Sequence, residues 1–130
     1  MLANGPVRLK IKDTTNTLVS TVSVGAGAVG YSDAFDLADC SSFGIEYIVT
    51  CTGTPGVKLE YQQRSDTDID WYTPDNFAAI KASLTDKNQH GGILSPITVK
   101  YFRVKITELT TTVADTVVTI RISGQKRFSV

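Results

Sequence analysis

Apolar and polar residues alternate with a period of two along most of this chain, the pattern of strands buried on one face. Val7–Lys12 sets Val7, Leu9 and Ile11 against Arg8, Lys10 and Lys12; after a turn at Asp13–Asn16 the alternation resumes in Leu18–Val24. Phe35 and Leu37 flank Asp36 in a short extended segment. Phe43–Thr52 reads as the central strand, with Phe43, Ile45, Tyr47, Val49 and Cys51 on one face and Glu46, Ile48 and Thr50 on the other. Gly53-Thr-Pro-Gly56 carries strong turn formers, so Val57–Arg64 is predicted to return as its hairpin partner, with Val57, Leu59 and Tyr61 inward. Lys100–Leu109 and Thr116–Ser123 repeat the pattern around Phe102, Val104, Ile106 and Val118, Ile120, Ile122. Gly25–Gly30, Ser65–Asp70 and Asn88–Gly92 read as loops, Phe77–Leu84 as one or two helical turns, and Pro96 argues against a central strand at that point.

Seven to eight short strands, broken by turn signals about every 8 to 12 residues, predict an all-β antiparallel β-sandwich, jelly-roll-like, with at most a short helical turn. No linker or internal repeat divides residues 1–130, so one domain is expected, with flexible ends at about 1–6 and 125–130. Composition agrees: Thr, Val and Ile, which suit pleated strands, supply 17, 13 and 10 residues. Hydrophobic residues at 42% and charged residues at 20% fit neither a disordered nor a membrane-spanning chain. Thr116–Ser123 has Arg121 as its one charge and is expected to be a sheet edge that a neighbour covers.

Lys plus Arg equals Asp plus Glu at 13 each, so no net field draws the chain to nucleic acid or an anionic membrane. The start, Met1–Pro6, lacks the basic and apolar stretches of a secretory leader. Cys40 and Cys51 match no zinc or CxxC pattern; two free thiols of a cytosol-made protein are favoured over a Cys40–Cys51 bridge.

Few groups could carry catalysis. His90, the single imidazole, lies in a polar segment, and no GxSxG elbow accompanies it; with no catalytic residue identified and no cofactor implied, the chain reads as non-enzymatic. Gly25-Ala-Gly-Ala-Val-Gly30 spells the dinucleotide pattern, but that pattern works only ahead of a helix, and Tyr31–Leu37 is turn-rich. Asp66, Asp68 and Asp70 have calcium-loop spacing, yet Trp71 and Phe77 stand where the EF-hand needs Gly and Glu, which leaves only a looser calcium site beside the reading as a solvated acidic loop. Trp71, Tyr72, Tyr61 and Tyr101 could stack on sugar rings or simply pack. Lys126, Arg127 and Phe128 form a basic-apolar tail suited to docking on a neighbouring subunit.

Three stretches carry a resemblance: Phe35–Tyr47, then Val57–Asp66 with Trp71, then Tyr101–Glu108 followed by Asp115–Ile120. Their order resembles small β-sandwich proteins among the virion structural genes of tailed bacteriophages, including head-decoration (cement) proteins. The resemblance implies a non-enzymatic virion protein that stabilises the outer capsid surface. It would be made in the host cytoplasm, bind the major capsid protein or another virion protein, and form a homo-oligomer, a trimer favoured. The alternative expectation is a carbohydrate-binding or adhesin module of a phage tail or fibre, using Trp71, Tyr72 and the Asp66–Asp70 loop on a glycan.

Overall fold

In a computed structural model, which describes residues 8–10, 17–36, 40–75, 79–94, 100–111 and 113–126, the alternating segments form two sheets packed face to face. The strands are β1 (Arg8–Lys10), β2 (Thr17–Val24), β3 (Val29–Tyr31), β4 (Ala34–Asp36), β5 (Cys40–Thr52), β6 (Val57–Arg64), β7 (Lys81–Leu84), β8 (His90–Leu94), β9 (Tyr101–Glu108) and β10 (Ala114–Lys126). One sheet runs β1-β4-β9-β6-β7, with β3 also paired to β9; the other runs β2-β10-β5-β8. The fold is the expected β-sandwich, antiparallel apart from the pair β1 and β4, which is parallel.

Alternation and register together set the core. Phe43, Ile45, Tyr47 and Val49 of β5 and Val118, Ile120 and Ile122 of β10 join Val57, Leu59 and Tyr61 of β6 and Phe102, Val104 and Ile106 of β9 in one buried cluster. Phe102 is its hub: its ring centre lies 5.4 Å from Phe35, 4.8 Å from Phe43 and 4.9 Å from Tyr61. Phe43 belongs to the opposite sheet, so this aromatic group welds the two layers. Burying a side chain of this size stabilises the fold by about 1.5–3 kcal/mol.

Several sequence expectations are corrected. Ten strands, not seven to eight, appear among the described residues, because β3, β7 and β8 are too short to show a full alternation. The segment expected as helical turns contains β7, whose Leu84 and Lys81 pair with Val57 and Leu59; Phe77 itself lies outside the described residues. The polar segment at Asn88–Gly92 runs into β8, where Gly91 and Gly92 lie opposite Glu46 and Ile45.

Nor do β5 and β6 form a hairpin. They lie in different sheets, because both bury one apolar face and the chain between them crosses the sandwich. Far from being an edge, β10 sits between β2 and β5. It also continues through Lys126, two residues into the expected flexible end, while Arg127 and Phe128 lie outside the described residues.

The crossover between β5 and β6 is held by a carboxylate at the end of β9. Glu108, 0% exposed, accepts hydrogen bonds from Gly56 N–H at 3.0 Å, Thr110 N–H at 3.3 Å, the Thr110 hydroxyl at 3.0 Å and the Thr116 hydroxyl at 2.6 Å. Burial raises its pKa, but these donated bonds outweigh that and hold it below the ordinary carboxylate value. Gly56 is required here, because a Cβ at that position would sit 2.8 Å from Thr110 Cγ2.

The edge beside β9 is made by two strands in succession. At the corner between β3 and β4, Ser32 N–H donates to Val104 O and Val104 N–H donates to the Ser32 hydroxyl, each at 2.9 Å. A side-chain oxygen thus stands in for a ladder carbonyl, and the chain can bend without orphaning a backbone donor. This bend carries β3 alongside the outer half of β9, which brings Tyr31 to the site described next.

Candidate functional site

The outer face of the six-stranded sheet is a ladder of polar and aromatic side chains. Register places Val29, Thr107 and Lys58 in one row, Tyr31, Lys105 and Glu60 in the next, then Arg103 beside Gln62 and Tyr101 beside Arg64. Residues of one strand that share a face recur at every second position, so Arg103 and Lys105 point the same way.

Past the end of β6 the chain turns back on itself. Gln63 N–H donates to Tyr72 O at 2.8 Å and Tyr72 N–H donates to Gln63 O at 3.1 Å. This antiparallel bridge brings Trp71 back across from Arg64, on the outer face. The Arg64 guanidinium carbon lies 4.4 Å from the centre of the Trp71 ring, and that of Arg103 lies 4.6 Å from it. Arg103 also lies 4.0 Å from the Tyr31 ring centre. Tyr31, Arg103, Trp71 and Arg64 thus make a continuous cation–aromatic stack, each contact of a kind worth about 0.5–2 kcal/mol.

Hydrogen bonds fix the stack in place. Arg103 Nε donates to Gln62 Oε1 at 2.8 Å. On the other side of the sheet, the Gln63 amide donates to the Tyr72 hydroxyl at 3.0 Å and holds the bridge that carries Trp71. Arg64, only 9% exposed, points one terminal nitrogen at the Thr67 and Ile69 carbonyls at 3.4 Å each, long for hydrogen bonds, and its buried Nε has no partner. Among the described residues no carboxylate forms an ion pair with either guanidinium. Burial lowers the pKa of Arg103; Tyr31 opposes that shift and the like charge of Arg64 adds to it, and the group stays charged throughout the working range.

Of the aromatic residues singled out from the sequence, only Trp71 comes to the stack; Tyr72, bridged to Gln63, shares that residue's side of the sheet, the side of Tyr61 and Phe102. Tyr72 is 42% exposed and Trp71 half-buried. Tyr61 points inward to the Phe102 cluster, and burial, with Tyr72 adding, pushes its phenol up to about 12. Tyr101 is buried beneath Lys100, whose ammonium lies 5.2 Å from its ring centre. Tyr31, 46% exposed, is the aromatic that sequence reasoning placed in no site. Three residues with a central glycine give too little alternation to mark it.

The acidic loop is exposed, and Asp66 Oδ1 accepts from its own neighbour Thr67 N–H at 2.6 Å. Among the described residues no three His, Cys, Asp or Glu side chains are placed to hold a metal ion, and Asp66, Asp68 and Asp70 form no such group. Gly25–Gly30 leads into β3 rather than a helix, so the dinucleotide motif lacks the amide-lined helix start it requires. His90 sits at the start of β8, stacked on Tyr47 at 5.8 Å, with Nε2 2.8 Å from Asp86 Oδ1. Cys51, placed by alternation on the face of Phe43, Ile45, Tyr47 and Val49, is half-buried at the end of β5, and Cys40 contributes backbone pairing to Lys126. A concavity of about 230 Å³ lies over the four-stranded sheet, lined by Glu46, Tyr47, Ile48, Gln89, Thr119 and Arg121.

No protein-family model and no curated protein matches the chain. Among solved structures, a CBM4 carbohydrate-binding module shares the fold with TM-score 0.50 at 11% identity, over 82% of this chain and 71% of that one. The Clostridium thermocellum endo-1,4-β-D-xylanase 10B CBM22-1 and GH10 modules, solved with xylohexaose, match with TM-score 0.50 at 15% identity, over 85% of this chain and 25% of that one. At these identities the likeness is one of fold: this chain is a two-sheet β-sandwich similar in architecture to carbohydrate-binding modules.

Proposed function

We propose that the chain is a non-enzymatic saccharide-binding module whose ligand lies on the outer face of the six-stranded sheet. The observation that carries this reading is the stack Tyr31–Arg103–Trp71–Arg64 on that face. Tyr31, 46% exposed, offers a flat apolar face to a sugar ring, and Arg103, its Nε held by Gln62, offers hydroxyl groups the N–H donors of its terminal nitrogens. The shared architecture with CBM4 and CBM22-1 supports it. A glycan array with the wild type, Tyr31→Ala and Trp71→Ala tests it. Binding to at least one saccharide, weakened tenfold or more by either substitution, is expected; no binding to any saccharide overturns the reading.

A second reading, an oligomeric capsid-decoration protein on the virion surface, has one structural observation in its favour. β8 is a terminal strand of its sheet, and its Ile93 is 79% exposed, an apolar side chain where a neighbouring subunit could pair. Electron microscopy of particles with and without the protein tests it, and particles with identical density and stability would exclude it.

A further inference from the structure

The two guanidiniums of the outer face meet at one indole, and among the described residues no carboxylate forms an ion pair with either. Arg64 and Arg103 both lie within 4.6 Å of the same indole centre, Arg64 is 9% exposed, and neither has a carboxylate partner among the described residues. Burying like charges side by side is costly unless a counter-charge completes the site. Asp36, the buried carboxylate of the row, stands across Tyr101 from Arg64, and no ion pair among the described residues joins it to either guanidinium. Glu60 is engaged with Lys58 at 3.7 Å, and Asp66 turns to its own loop. Arg64 Nε is orphaned even so. Arg103 is the accessible member: it is half-buried, Gln62 holds its Nε, and its two terminal nitrogens, which donate to none of the described residues, can grip an anion in the bidentate manner of a planar fork.

We infer that the saccharide bound here is acidic, with the carboxylate of a uronic acid residue seated on Arg103 and backed by the charge of Arg64. This rests on the saccharide-binding reading and narrows it to a substrate class. Direction follows from register. Lys105 stands two residues along β9 from Arg103, in the row that contains Tyr31, whereas the Asp66–Asp70 loop leaves from the Arg64 end of β6. An anionic chain running from Arg103 toward Lys105 and Tyr31 leaves the acidic loop behind, and the one carboxylate of that row, Glu60, lies on the β6 side and is paired with Lys58. Neutral sugars would use the aromatic faces but leave the paired charges uncompensated.

Titration calorimetry with hexameric oligogalacturonate and oligomannuronate, each alongside its carboxyl-reduced neutral counterpart, tests the inference. At least one acid is expected to bind tenfold or more tighter than its neutral counterpart, and added salt is expected to shrink that ratio. Arg103→Gln should bring the ratio close to one while circular dichroism stays that of the wild type. Lys105→Gln, a milder change outside the stack, should lower the ratio about threefold, a fraction of the Arg103 effect expected of a point charge without the bidentate fork, and it serves if Arg103→Gln fails to fold. Neutral oligosaccharides binding as well as the acids, or better, overturn the inference and leave the saccharide reading standing. Absence of binding to any saccharide, acidic or neutral, overturns both.

Discussion

The Thr116 hydroxyl donates to Glu108 Oε1 across 2.6 Å, joining the start of β10 in one sheet to the end of β9 in the other. The other carboxylate oxygen takes Gly56 N–H at 3.0 Å, so a single side chain fastens both layers and the crossover between them.

Removing that carboxylate leaves its buried donors unpaired. Glu108→Ala is expected to destabilise the fold by about 3–5 kcal/mol, as for breaking a buried charged network, read from urea unfolding midpoints. The pH dependence has a definite sign. The folded pKa lies below the unfolded value, so the contribution is present above about pH 4.3, the unfolded glutamate value, and is lost as pH falls through the folded pKa. Glu108→Gln should flatten the acid limb of the stability curve; an unchanged limb would show that other carboxylates govern it.

Phe102 touches three aromatic rings in two sheets. Phe102→Ala should lose about 3–5 kcal/mol, with near-ultraviolet circular dichroism reporting loss of ring order. Phe102→Leu should lose less, because it refills part of the space.

At the bulge where β10 begins, Asp115 adopts φ 53° and its carboxylate accepts Thr52 N–H at 2.9 Å and the Thr52 hydroxyl at 3.0 Å. Asp115→Ala loses both bonds and keeps the strained backbone, whereas Asp115→Gly loses the bonds but relieves the strain. The glycine variant is therefore expected to be more stable than the alanine variant by about 1 kcal/mol. Thermal melts compare them, and the reverse order would show that the left-handed backbone carries no penalty here.

Arg64 supports the chain from Ser65 to Trp71. Arg64→Met retains length and apolar packing but removes the cation beneath the indole. Trp71, the only tryptophan, makes the outcome visible: its fluorescence should move toward the solvent-exposed position, and proteolysis should cut within 65–70. A spectrum and a cleavage pattern like those of the wild type would show that the loop holds without it.

What could be read from the sequence depended on strand length. Phe43–Thr52, Val57–Arg64, Lys100–Leu109 and Thr116–Ser123 sustain alternation long enough to assign each inward face, and those faces are the ones buried. Val29–Tyr31, Lys81–Leu84 and His90–Leu94 offer three to five residues with glycine or charge among them, too few for a period to show. Alternation also says which face is buried but not which strand lies alongside, so the β5–β6 hairpin and the β10 edge were natural errors. The site divides the same way. Trp71 and Tyr72 stood out as adjacent aromatics, while Tyr31, Arg64 and Arg103 meet only through the pairings Tyr31↔Lys105, Gln62↔Arg103 and Gln63↔Tyr72.

The central position of β10 governs how the protein can emerge from the ribosome. β2 and β5 have no direct pairing; each meets β10 along one side, from Val24 opposite Thr116 and from Tyr47 opposite Ile120. Until residues 114–126 have left the exit tunnel, β2 lacks its neighbour and β5 keeps only β8, so the apolar faces of this layer stay open to chaperones and to other nascent chains. Assembly of this layer thus waits for residues 114–126 to emerge. Stalled chains ending near Val113 should remain protease-sensitive, and those extended past Lys126 by the length of the tunnel should become resistant.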